Sequence, residues 1–156
     1  MLSKIKSNKG FTLIEVIVVI ALLAILAGIV LVAINPAQNS ADARNVKRRA
    51  DVLQILNAVN QHYVAKGTFP TGMPTVAQSP ADLKSGATPA GDICDGIVTT
   101  GNYIAALPFD TGGAYTSCSS YDTKYTISLD SNNRVTVSAP GTEIGGSTTA
   151  VISVTR

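Results

Sequence analysis

The 156 residues include 46% hydrophobic side chains, three Phe, five Tyr and no Trp, which suffices for one compact domain beside a long helix but not for a large aromatic core. The formal charge of +2 comes from the first ten residues: without Lys4, Lys6 and Lys9, nine basic residues face ten acidic ones, and from residue 66 onward five face seven. The basic balance therefore gives no reason to expect a nucleic-acid partner.

Residues 1–10 form a short basic leader, followed by an apolar run at residues 11–34 whose one charge is Glu15. At ~1.5 Å per residue the run is long enough to cross a ~30 Å bilayer as a helix. A carboxylate in such a span costs ~2.5–3.5 kcal/mol on insertion scales and marks a functional site by default. A secretory signal peptide has a shorter core and a small-residue cleavage site, whereas this run ends in Asn35-Pro36. A plain membrane anchor explains neither Glu15 nor the abrupt Lys9-Gly10-Phe11 junction.

Lys9-Gly10-Phe11-Thr12-Leu13-Ile14-Glu15-Val16 resembles the processing site of bacterial type IV pilins and pseudopilins. The resemblance implies that a membrane-embedded prepilin peptidase cuts between Gly10 and Phe11, and that the new amine of Phe11 is N-methylated. A buried carboxylate without a cation is costly. The Phe11 amine of a neighbouring subunit is the partner expected for Glu15, an assembly role for both residues.

Within the apolar run Ala21, Ala24 and Gly28 keep a small-residue spacing that permits close helix approach. At Pro36 the missing donor and the restriction on Asn35 predict a helix kink. A second, amphipathic helical half is expected over residues 35–66. Val52, Leu56, Val59 and Tyr63, with Leu53 and Ile55 beside them, should pack on a sheet. Arg44, Lys47, Arg48, Asp51 and Gln54 should form the opposite, solvated side, with salt bridges to neighbouring subunits as the other use of its charges. The basic run at residues 44–49 has no interleaved aromatics for base stacking. His62, the one histidine, belongs at the edge of the packed face, and Gly67 is a plausible stop. Residues 43–51 and 63–70 also resemble the amphipathic half of pilin helices and its end.

Residues 68–93 read as a surface loop with turns at Pro70, Pro74, Pro80 and Pro89, and with one helical turn at residues 81–84. Tyr103-Ile104-Ala105-Ala106-Leu107-Pro108-Phe109-Asp110 resembles a segment shared by pilins and pseudopilins. Thr111 stands where pseudopilins of secretion systems often have Pro. Strands are expected at residues 114–118, 124–129, 134–138 and 150–155, with a hairpin turn at residues 130–133 and a break at Gly145-Gly146. Asp130 with its Asn neighbours is a poor Ca²⁺ site, because a hard dication needs more carboxylates.

Positive charge flanks both ends of the apolar run, so it does not orient the chain. Cys94 and Cys118 do better. No second Cys pair suits a metal, so a disulfide in an oxidising compartment is the natural reading, with two buried free thiols as the alternative. If paired, they close a loop worth ~3 kcal/mol on chain-entropy grounds.

The expected architecture is α+β and pilin-like: a long N-terminal helix, transmembrane then amphipathic, packed on a small antiparallel sheet. Its regions are a leader at 1–10, a membrane or filament-core helix at 11–34, the amphipathic half at 35–66 and a globular head at 67–156. The resemblance implies a homo-oligomeric helical filament, a type IV pilus of the kind used in adhesion and motility. The implied partners are the membrane, the prepilin peptidase, the pilus assembly platform and minor pilins. The precursor would be single-pass in the cytoplasmic membrane with its head outside the cytoplasm, and the assembled pilus extracellular. No enzymatic activity, cofactor, metal or specific nucleic acid is expected. A type II secretion pseudopilin and a non-polymerising bitopic ligand-binding protein are the alternatives.

Overall fold

The computed structural model describes residues 10–88, 90–143 and 151–156. The leader residues 1–9, the turn expected at Pro89 and the break at Gly145-Gly146 lie outside them. The chain divides into two compact units, Met1–Asn39 and Ser40–Arg156.

The first unit is dominated by helix α1, Leu13–Ile34, none of whose residues is buried. Thr12 caps its start in an extended conformation, and Glu15 completes a reciprocal capping box. Among the described residues α1 alone is long and apolar enough to cross a membrane. It stops at Asn35, which adopts the left-handed conformation (φ 42°), and Pro36 opens helix α2, Pro36–Lys66. Proline fits the first helical position because its missing N–H would have had no partner there. The Asn39 side chain donates to the freed Ile34 carbonyl at 3.0 Å.

The second unit packs α2 on an antiparallel sheet. Its strands are β1 Ala81–Lys84, β2 Ala114–Ser117, β3 Ser120–Leu129, β4 Val135–Ala139 and β5 Ile152–Thr155. The order is β1-β3-β4-β5, with β2 also paired to β3. The β3–β4 register sets Ile127 against Val137 and Leu129 against Val135, and β4–β5 sets Val137 against Val154. Alternation does the sorting. Tyr121, Thr123, Tyr125 and Ile127 of β3, and Val135, Val137 and Ala139 of β4, all face inward.

Against that face α2 lays Val52, Ile55, Leu56 and Val59, each fully buried. Leu83, Ile93, Ile97, Ile104 and Leu107 close the core. Each such side chain contributes about 1.5–3 kcal/mol by leaving water. Gly67 ends the helix with φ 73°, its N–H donating to the Tyr63 carbonyl at 2.8 Å.

Three expectations need correction. Residues 81–84 are a strand, not a helical turn. Ala81 and Leu83 alternate inward with Asp82 and Lys84 outward, and β3 supplies the backbone partners. Four residues are too few for periodicity to declare itself; the long-range pairing decides. Nor is the stretch up to residue 93 all surface, since Leu83 and Ile93 are fully buried. On α2, Leu53 and Tyr63 lie outside the packed face at 42% and 44% exposure. Tyr63 stacks on Phe69 instead, with ring centroids 4.6 Å apart.

Candidate functional site

The N-terminal junction is open. Phe11 is 89% exposed, and a Cβ added at Gly10 would meet nothing within 4 Å. The fold of this chain therefore does not itself demand glycine at position 10. Four residues on, Glu15 is held by its own chain. Its carboxylate accepts from the Thr12 backbone N–H at 2.8 Å and from the Thr12 hydroxyl at 2.9 Å, while Thr12 Oγ1 accepts from the Glu15 N–H at 3.3 Å. The geometry aims the carboxylate back over the start of α1, towards the end of the helix where Phe11 lies. Sequence reasoning sought the partner of Glu15 in another subunit and missed Thr12. The signal was present as the Thr-x-x-Glu spacing of a capping box.

A second constellation joins α2 to the loop ends of the sheet. Arg48 and Asp110 are 3% and 6% exposed and meet at 2.7 Å. Arg48 Nη1 donates to the Asn45 side chain at 2.9 Å, and Nη2 to Glu143 at 3.1 Å. Arg44 grips both carboxylate oxygens of Glu143 through one edge of its guanidinium, Nε donating at 2.8 Å and Nη2 beside it. The Arg44 and Arg48 guanidiniums hold the Glu143 carboxyl at about 2, well below the usual carboxylate range. Beside them Asp51, 7% exposed, accepts from Lys47 and from the Tyr125 hydroxyl at 2.6 Å. Burial, and then Asp51, push the Tyr125 phenol up. Lys47 also reaches the Phe109 carbonyl at 2.6 Å.

The expectation of a solvated basic face is thus overturned for Arg48 and Asp51. Arg44, Lys47 and Arg48 have their acidic partners inside the same chain. Charge neutralisation at each buried group lets α2 bury polar positions that would otherwise cost several kcal/mol apiece.

Cys94 and Cys118 are bonded to each other with Cα atoms 5.3 Å apart, tying the short helical turn Asp95–Thr99 to the β2–β3 hairpin. His62 lies at the helix edge, its Nδ1 2.9 Å from the Thr68 carbonyl and its ring edge-on to Tyr103. Asp130 is committed to its own turn, accepting from the N–H groups of Asn132 and Arg134 at 2.8 Å each. Among the described residues no three His, Cys, Asp or Glu side chains are placed to hold a metal.

Residues 5–31 match the family described as the prokaryotic N-terminal methylation motif. The chain is 36% identical over 95 residues to the type IV major pilin protein PilE1 of Neisseria gonorrhoeae. That similarity covers 59% of this chain and 42% of the relative's length. No solved structure matches the chain. In its methylation motif and over these 95 residues the chain is thus similar to type IV pilins, with a helix-on-sheet, pilin-like fold.

Proposed function

We propose that this chain is a structural subunit that polymerises into a type IV pilus filament after a prepilin peptidase cuts between Gly10 and Phe11. Phe11 is then N-methylated, and its amine pairs with Glu15 of a neighbouring subunit. The observation that carries this reading is the lone carboxylate in α1, held beside an exposed junction. Inside lipid Glu15 is a liability that its capping box reduces but does not neutralise. A cationic amine from the next subunit neutralises it in a dry site, where Coulomb attraction is strong. The demand for glycine at position 10 then comes from the peptidase. A backbone that must enter an active site closely tolerates no side chain.

The α2 network supports a role for the second unit as a rigid head, since Arg44, Lys47 and Arg48 are tied to acidic side chains of the same chain. The disulfide supports a head outside the cytoplasm, where oxidising conditions preserve it. The assembly platform and minor pilins are the further partners of this reading, with the cytoplasmic membrane as the store of mature subunits.

Mass spectrometry of the native N terminus tests the proposal. The expected species begins at a methylated Phe11, and Gly10→Val should leave the precursor uncut. An intact Met1 in wild-type cells, or a normal mature size for Gly10→Val, would refute it.

A further inference from the structure

We propose that in the filament the start of α2 of one subunit docks in the seam between α2 and β5 of the next, with Asp42 of the first paired to Arg49 of the second. The inference rests on the polymerisation reading and names a contact that would carry it. The seam is a groove of ≈ 530 Å³ with Leu53 on its helix side and Val151, Ile152 and Val154 on its strand side. Arg49 also lines it, exposed and without an acidic partner among the described residues, whereas Arg44, Lys47 and Arg48 each hold one. α2 carries two acids. Asp51 is paired with Lys47, while Asp42 is exposed and has no cationic partner among the described residues.

Charge and shape select a second copy as the occupant. The groove offers apolar walls and one free cation. Asp42 and the exposed Val46, one turn apart on the same side of α2, offer one free acid and an apolar knob. At ~100° per residue Val46 lies about 60° round the helix from Arg49, farther from the packed face. Knob and groove are therefore different surfaces of one chain. A contact between different surfaces repeats from copy to copy without closing on itself, as a filament requires. Copies drawn from one membrane share a direction, so their α2 helices run parallel. A shift of seven residues, about 10 Å along the axis, then levels Asp42 with Arg49. The same shift levels Val46 with Leu53, so one offset serves both the ion pair and the apolar contact. The apolar walls keep water from the pair, and a pair so placed fixes the register of packing.

The test reads sheared filament against mature subunit in the membrane. Asp42→Arg and Arg49→Asp should each lower the ratio at least about tenfold, because like charges then face each other. The Asp42→Arg, Arg49→Asp double variant should regain most of the yield. Both side chains are exposed, so the melting transition of the purified chain should match wild type in all three. Should a charge variant fail to accumulate, crosslinking decides. A short bismaleimide added to filaments of the Asp42→Cys, Arg49→Cys double variant should give a ladder running beyond dimers. Either cysteine variant alone should give none. Wild-type yield from a single charge variant, or a double variant no better than the singles, would overturn the proposal. So would a missing ladder, one that stops at dimers, or a crosslink to a different protein. Those results would leave polymerisation standing, whereas wild-type cells that shed no filament would refute polymerisation and this contact together.

Discussion

Arg48 and Asp110, 62 residues apart in sequence, form a 2.7 Å ion pair that water barely reaches. The pair connects the middle of α2 to the loop before β2. That loop is also tied to β3, because the Asp110 N–H donates to the Thr123 carbonyl at 2.9 Å. The charge of Arg48 is shared with Glu143, so three separate segments converge on one guanidinium.

Removing one partner is the first prediction. Arg48→Met strands the Asp110 carboxylate in a buried site, and breaking such a pair costs about 3–5 kcal/mol. Asp110→Leu should cost less, because Arg48 keeps Glu143 at 3.1 Å. The Arg48→Met, Asp110→Leu double variant should lose clearly less than the sum, since neither charge remains. Urea unfolding of the full chain in detergent measures this. Additive losses would show that the two side chains do not share an energetic link.

The second prediction concerns pH. Arg44, then Arg48, hold the Glu143 carboxyl down from 4.5 to about 2 in the folded chain. A folded value below the unfolded one means that the native state favours the ionised form. The contribution is complete above about pH 4.5 and is lost as pH falls towards 2. Asp122, beside Lys124, and Asp130, beside Arg134, are also held low and add to the same limb. Glu143→Gln should therefore lower the melting temperature at pH 7 and flatten, without abolishing, its fall between pH 4.5 and 2. Parallel curves for the two proteins would refute the assignment.

Tyr125→Phe is the third. The variant keeps the buried ring but loses the hydroxyl that donates to Asp51 at 2.6 Å. Hydrogen bonds to charged groups contribute about 1.5–3 kcal/mol, and the exposed amine of Lys47 can cover part of the loss. A fall in stability towards the lower end of that range is expected from thermal melts. A cost below the resolution of the melt would mean that Lys47 satisfies Asp51 alone.

How much of this was legible beforehand varies by element. The apolar run, its interruption at Asn35-Pro36 and the strands β2 to β5 follow from composition and local period, which are written in consecutive residues. β1 was not legible, because four residues acquire strand geometry only from pairing with β3. The charged face of α2 was misread although a signal existed. Ala41, Asn45, Arg48, Val52, Ile55 and Val59 succeed one another by steps of three or four, and all are buried. Arg48 thus shares the spacing of the core. Residue type overrode position in the sequence reading, since charged side chains are rarely buried unless paired. Asp110, the partner that permits the burial, is fixed only by tertiary structure.

The last prediction separates the two partners of Glu15. Within the chain the carboxylate accepts from the Thr12 N–H and hydroxyl; in a filament it would meet the Phe11 amine of a neighbour. Glu15→Ala removes a desolvated carboxylate, so membrane residence should become easier, while filament yield should collapse. Glu15→Asp keeps the charge but stands one methylene short of the capping-box reach, so a partial yield is expected. Glu15→Gln preserves a side chain that completes the box and loses the charge. It should insert normally and assemble poorly, because an amide cannot neutralise an amine. Thr12→Ser should match wild type. Thr12→Val loses the hydroxyl but keeps the backbone donor to the carboxylate, so a moderate defect is expected, with about 1 kcal/mol of capping removed from α1. The measurement is filament sheared from cells relative to mature subunit in the membrane. Wild-type yield from Glu15→Gln would show that the capping box suffices and would remove the intersubunit charge pair from the mechanism. Wild-type yield from Glu15→Ala would remove Glu15 from assembly altogether.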